Sequence, residues 1–209
     1  ARVAAVGVVG GAILAAMAVP VVAGFGKASE VAAEQIGALP AELATPPLPN
    51  RTYMLDADGN RIATLFDENR IEVPLDQISE NMQRAIVAVE DERFYEHKGV
   101  DVQGLIRAQL ENTASGSIRQ GASTLTMQYV KNVLVTAAAD EDQVEAAVEQ
   151  TTARKLQEIR YAVQLERELT KDEILNRYLN IAYFGSGAYG VEAASRRYFG
   201  HSAKKLTPA

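Results

Sequence analysis

Between Val3 and Phe25 the chain carries no charged side chain, and that run limits what the rest can be. About 20 apolar residues wound as a helix cross the hydrocarbon of a bilayer. A run built almost entirely of Val, Ala and Gly has no polar face to show to water, so it does not suit a helix shared with a soluble core. A secretory signal peptide is the competing reading, although its apolar core is normally shorter. Arg2 precedes the run, and Glu30, Glu34 and Glu42 follow it, which puts the N-terminus on the cytoplasmic side. The expected organisation is a membrane anchor over 1–25, a juxtamembrane linker over 26–51 and one folded domain over 52–209. Leu39-Pro-Ala and Thr45-Pro-Pro-Leu-Pro-Asn50 give that linker an extended, polyproline-like end.

Composition closes off several functions. With 209 residues, 47% of them hydrophobic, there is enough for one domain with a real core. No cysteine and only two histidines exclude disulfides, thiolate sites and a histidine-rich metal cage. A net charge of −6 argues against nucleic acid as a partner. The charge is uneven, however: Asp140, Glu141, Asp142, Glu145 and Glu149 form an acidic run, flanked by Lys131, Arg154 and Lys155.

Along the domain, Thr52-Tyr-Met-Leu55 and Ile62-Ala-Thr-Leu-Phe66 bracket Asp58-Gly59, which predicts a short β-hairpin. Met82, Ala85, Ile86 and Val89 then recur at helical spacing behind Ser79, a candidate N-cap. The apolar run stops in Glu90-Asp91-Glu92. A helix continuing through this triplet would bring Glu90, Phe94 and His97 onto one face. A carboxylate there, partly desolvated against an aromatic ring, is a candidate general base; a solvated helix end is the plainer alternative.

In Gly121-Ala-Ser-Thr-Leu-Thr-Met-Gln-Tyr-Val-Lys-Asn132, Ser123 and Thr124 are helix-start hydroxyls of a kind that favours anions. The helix they open would set Gln128 and Lys131 one turn apart, and an ordinary capped helix reads the same way. A single helix is expected from about Glu141 to Glu168, carrying Arg154-Lys-Leu-Gln-Glu158 as either a cationic site or a surface ion-pair ladder. Thr170-Lys-Asp-Glu173 is a capping box, ahead of Leu175, Tyr178 and Leu179 as core positions. The glycines of Gly185 to Gly190 follow no strand, so a dinucleotide site is disfavoured. Ser202-Ala-Lys-Lys205 matches Ser-x-x-Lys of penicillin-sensitive acyltransferases, but no Lys-Thr-Gly accompanies it.

Taken in order, Glu90-Asp-x-x-Phe-x-x-His-x-Gly99, the Gly121–Asn132 segment, Arg154-Lys-x-x-Glu158, Ile174–Gly185 and Val191–Gly200 resemble the five signatures of the family 51 peptidoglycan glycosyltransferases, the polymerase modules of class A penicillin-binding proteins. Met127 stands where many relatives carry Gln, and Asn176 replaces a commoner Glu. The resemblance implies a mainly α, lysozyme-like domain with a small β-hairpin, held by one transmembrane helix outside the bacterial cytoplasmic membrane. It implies polymerisation of lipid II into β-1,4-linked glycan with inversion, a divalent cation (Mg²⁺ or Mn²⁺), and cell-wall synthesis proteins as partners. Under it, Glu90 is the base and Glu158 orients the donor-site cations or a metal. Lys131, Arg154 and Lys155 neutralise a pyrophosphate leaving group that needs no general acid. Ser123, Thr124, Gln128 and Asn132 complete the phosphate site, while Phe94 and His97 shape the cleft. The domain is expected to run on past Ala209. Two other classes compete: a membrane-anchored scaffold of a cell-wall complex, and a lysozyme-like hydrolase.

Overall fold

The computed structural model of the chain describes residues 42–104, 107, 123–149 and 151–208. The expected anchor, the linker up to 41 and Gly121 lie outside the described residues. Among the described residues no helix is long and apolar enough to cross a membrane.

The hairpin forms as its turn chemistry dictates. Strands β1 (Thr52–Leu55) and β2 (Arg61–Leu65) pair antiparallel. The Asp56 carboxylate closes the turn by accepting from the backbone N–H of Asp58 at 2.9 Å and of Asn60 at 2.7 Å. A second pairing was not legible beforehand: β3 (Asn69–Arg70) lies parallel to β4 (Ala188–Tyr189).

Arg70 holds that pairing in place. Its side chain is buried, donates to the Asn180 carbonyl at 2.6 Å and the Pro49 carbonyl at 3.2 Å, and pairs with Glu68. Its guanidinium also lies 5.3 Å from the Tyr189 ring centroid. The Asn180 side chain meanwhile bridges the N–H and C=O of Val73, at 2.9 Å each. A buried arginine is tolerable only with such a set of acceptors.

The body is helical. Helix α1 (Glu80–Glu90) starts on Ser79, whose Oγ accepts from Met82 N at 3.2 Å. Helix α2 (Leu125–Ala137) is the hub, packed on α3 (Glu141–Val148), α4 (Thr152–Glu168) and α5 (Lys171–Ile181); α6 (Val191–Phe199) follows the glycine turn. Leu125, Val130, Ile174, Leu175 and Leu179 fill the centre with no exposed surface. The expected capping box on α5 is present, with Thr170 and Glu173 bonding reciprocally.

Where one long helix was expected from Glu141 to Glu168, two form. Glu149 leaves helical geometry at ψ 138°. Thr151 then caps a new helix by accepting from Arg154 N at 3.3 Å, and Arg154 Nε donates back to the Glu149 carbonyl. A capping threonine offers the backbone a start that amphipathic periodicity cannot detect.

Two glycines are set by close packing. Gly99 (φ +86°) and Gly190 (φ +77°) would bring a Cβ to 2.8 Å from the Ala162 backbone and 2.7 Å from the Asn180 carbonyl. Gly59 (φ +85°) has open space around it. Gly99→Ala and Gly190→Ala are therefore expected to cost about 2–4 kcal/mol each, the sum of a left-handed backbone and an overlap. Gly59→Ala, with only the backbone cost, should lose about 1 kcal/mol. Urea midpoints check the ranking, and equal losses at all three positions would contradict the packing argument.

Candidate active site

Helix α1 ends at Glu90. Asp91, at φ −159°, turns the chain away, so the expected shared face of Glu90, Phe94 and His97 does not form. The cause is tertiary. The buried Asp91 carboxylate accepts from the backbone N–H of Leu125 at 3.0 Å and meets His97 Nε2 at 2.9 and 3.0 Å, tying the end of α1 to the start of α2. Phe94 goes fully into the core, with Lys171 Nζ 4.4 Å from its ring centroid, and His97 is buried beside Asp91.

Glu90 itself remains exposed, and Phe94, the ring expected to desolvate it, is in the core instead. Its carboxylate is nonetheless held: Oε2 accepts from Gln128 Nε2 at 2.9 Å. Gln128 Oε1 in turn accepts from the Tyr178 hydroxyl at 3.1 Å. Burial, and then the Glu90 charge, push the Tyr178 phenol up to about 12.

The cations gather at the start of α2. Glu158, buried on α4, takes Lys155 Nζ on Oε2 at 3.0 Å and Arg154 on Oε1. Lys155 also donates to Ser123 Oγ. Lys131 and Asn132 continue the Gln128 face of α2 by one turn, half-buried. Ser123 and Gln128 are five residues apart in sequence, on the order of 10 Å along this element. Glu90 thus meets α2 at Gln128, and Lys155 meets the segment leading into α2 at Ser123. Thr124 is the exception among the expected phosphate-site residues. It is the N-cap of α2, accepting from Met127 N at 3.2 Å, and its single proton goes to the Gly99 carbonyl at 2.7 Å.

No group of three His, Asp or Glu side chains among the described residues is placed to hold a metal ion. Both oxygens of Glu158 are already taken by cations. These side chains do not make a divalent-cation site.

The family model described as Transglycosylase matches residues 58–209, covering all five motifs. The chain belongs to the transglycosylase family. Penicillin-binding protein 1A of Escherichia coli is 44% identical to this chain over 160 residues, 77% of this chain and 17% of that protein. Penicillin-binding protein 1F of Bacillus subtilis is 39% identical over 154 residues, 74% and 20% of the two chains. Penicillin-binding protein 4 of the same organism is 40% identical over 162 residues, 77% and 24%. The transglycosylase chain thus spans about a fifth of the length of the curated relatives it matches.

Sequence reasoning missed two side chains that bear on this candidate site. Asp91 was visible only as one member of an acidic triplet. Tyr178 was read as core, which it is, but its hydroxyl extends from the core to Gln128. A polar tip on an otherwise apolar helix face was the available signal, since buried phenols find partners.

Proposed function

We propose that this transglycosylase polymerises lipid II into β-1,4-linked glycan strands with inversion, anchored through residues 1–25 on the outer side of the bacterial cytoplasmic membrane. The observation that carries the reading is the position of Glu90, held by Gln128 on the helix whose beginning carries the Ser123–Lys155–Glu158–Arg154 cluster. In this reaction Glu90 takes the proton from the acceptor 4-hydroxyl as its oxygen bonds to the donor anomeric carbon. The bond to pyrophosphate breaks on the opposite face, and the lipid pyrophosphate departs as an anion. It needs positive charge and no proton, so Lys131, Arg154 and Lys155 take the place of the acid that a glycosidase supplies.

Glu158 has a positioning role. Two cations on one buried carboxylate leave a net positive charge, held on a fixed helix face. Ser123, Gln128 and Asn132 supply further donors. Thr124, Phe94 and His97 support the wall from behind. Exposure of Glu90 suits a base that must meet an incoming sugar.

Two readings compete, a hydrolase and an inactive scaffold, and one assay separates all three. Labelled lipid II and finished peptidoglycan are supplied in parallel to the membrane-anchored protein and to an Arg154→Ala, Lys155→Ala double variant. Lipid II is expected to grow into long strands, finished glycan to stay intact, and the double variant to lose about 100-fold or more in kcat/KM. Release of soluble fragments from finished glycan would favour the hydrolase, and inertness toward both substrates the scaffold. Wild-type turnover by the double variant would remove those cations from the leaving-group site.

A further inference from the structure

The amide of Gln128 sits between a carboxylate and a phenol, and only one orientation serves both. Facing Glu90 with Nε2 gives that carboxylate a donor, and facing Tyr178 with Oε1 gives the phenol proton an acceptor. Turned over, the amide would set a carbonyl against Glu90 and leave the Tyr178 O–H without its acceptor. Tyr178 is 6% exposed, on a helix whose neighbouring Ile174, Leu175 and Leu179 are fully buried. Its ring is therefore fixed, and its proton has one place to go among the described residues. An unsatisfied buried hydroxyl is costly.

Resting on the reading of Glu90 as base, we infer that Tyr178 is a positioning residue for that base: by donating to Gln128 Oε1 it locks the amide so that an N–H faces Glu90 throughout turnover. The lock matters most just after proton transfer. A protonated Glu90 would prefer a carbonyl opposite it, and an amide free to turn would then stabilise the spent form. With the phenol holding Oε1, the amide keeps an N–H toward Glu90 and favours return of the carboxylate. The raised phenol pKa fits this arrangement, because Tyr178 stays a donor across the working pH range.

The expected signature is in kcat. For Tyr178→Phe, kcat is expected to fall about tenfold with KM for lipid II little changed, because the base loses its fixed partner while the cations that hold the donor are untouched. Gln128→Leu should lower kcat at least as far.

The test is a double-mutant cycle on lipid II polymerisation with kcat and KM read separately, using Tyr178→Phe, Gln128→Leu and the pair, with thermal melts alongside and Glu90→Gln as reference. If Tyr178 acts through Gln128, Tyr178→Phe adds nothing further in the Gln128→Leu background. Additive effects, or an unchanged kcat in Tyr178→Phe while Glu90→Gln is dead, would overturn the positioning role and leave the base in place. Turnover by Glu90→Gln would instead overturn the base assignment, and this inference with it. Should the melts show Tyr178→Phe unfolded, an unchanged kcat in Gln128→Leu overturns the inference equally.

Discussion

Replacing Glu90 with Gln is expected to lower lipid II polymerisation by about 10²–10⁴-fold, the usual contribution of a general base. The substitution keeps volume and shape, and its carbonyl can still accept from Gln128 Nε2, so the local geometry should persist. Because the side chain is exposed, stability should stay within about 0.5 kcal/mol of the starting protein. Binding of a donor analogue should survive, since the cations at the start of α2 are untouched. A spectroscopic companion is available. The Glu90 charge is the second cause of the raised Tyr178 pKa, after burial. Removing that charge should bring the phenol down from about 12, yet leave it above the ordinary tyrosine value of 10.0. An ultraviolet titration reads the phenol, and strand length on a gel reads polymerisation. Normal strand synthesis by the folded variant would rule Glu90 out as the base.

The second large effect falls on the adjacent residue and on a different property. Asp91→Ala should destabilise the domain by about 3–5 kcal/mol, a drop of roughly 10 °C or more in melting midpoint for a domain of this size. The carboxylate is the acceptor for Leu125 N–H and the partner of His97 Nε2, and both are buried. Its loss leaves the first turn of α2 and the imidazole unpaired at once. Among the described residues His97 has no second bond to fall back on, because its Nδ1 is buried without a partner there. Glu92→Ala, two positions after Glu90 and exposed, should be nearly neutral and serves as the control. A calorimetric midpoint for Asp91→Ala within a degree or two of the control would contradict the assigned joint between α1 and α2.

Those two substitutions show how unevenly the site could be read beforehand. Glu90, Asp91 and Glu92 are indistinguishable as charges in a string. One meets Gln128, one is buried in a joint, and one faces water. The same holds for Ser123 and Thr124, adjacent hydroxyls of which one bonds Lys155 and the other is consumed in capping α2 and bonding Gly99. The Arg154–Glu158 pairing, by contrast, was foreseeable, because both partners lie one helical turn apart.

What the amino-acid string determined alone is the local grammar: the Asp58-Gly59 hairpin, the Ser79 cap, the Thr170–Glu173 capping box and the core stripe of α5. Each depends on interactions between residues a few positions apart, so a window of sequence contains both partners. Only the tertiary structure decided which acid meets Gln128, how Arg70 reaches Asn180, and why Tyr178 touches Gln128. Those contacts join residues separated by 38 positions for Glu90 and Gln128, 50 for Tyr178 and Gln128, and 110 for Arg70 and Asn180. A hydrogen bond needs its two atoms within about 3 Å. Which distant atoms come that close is set by how α1, α4 and α5 pack around α2, and no single segment carries that information.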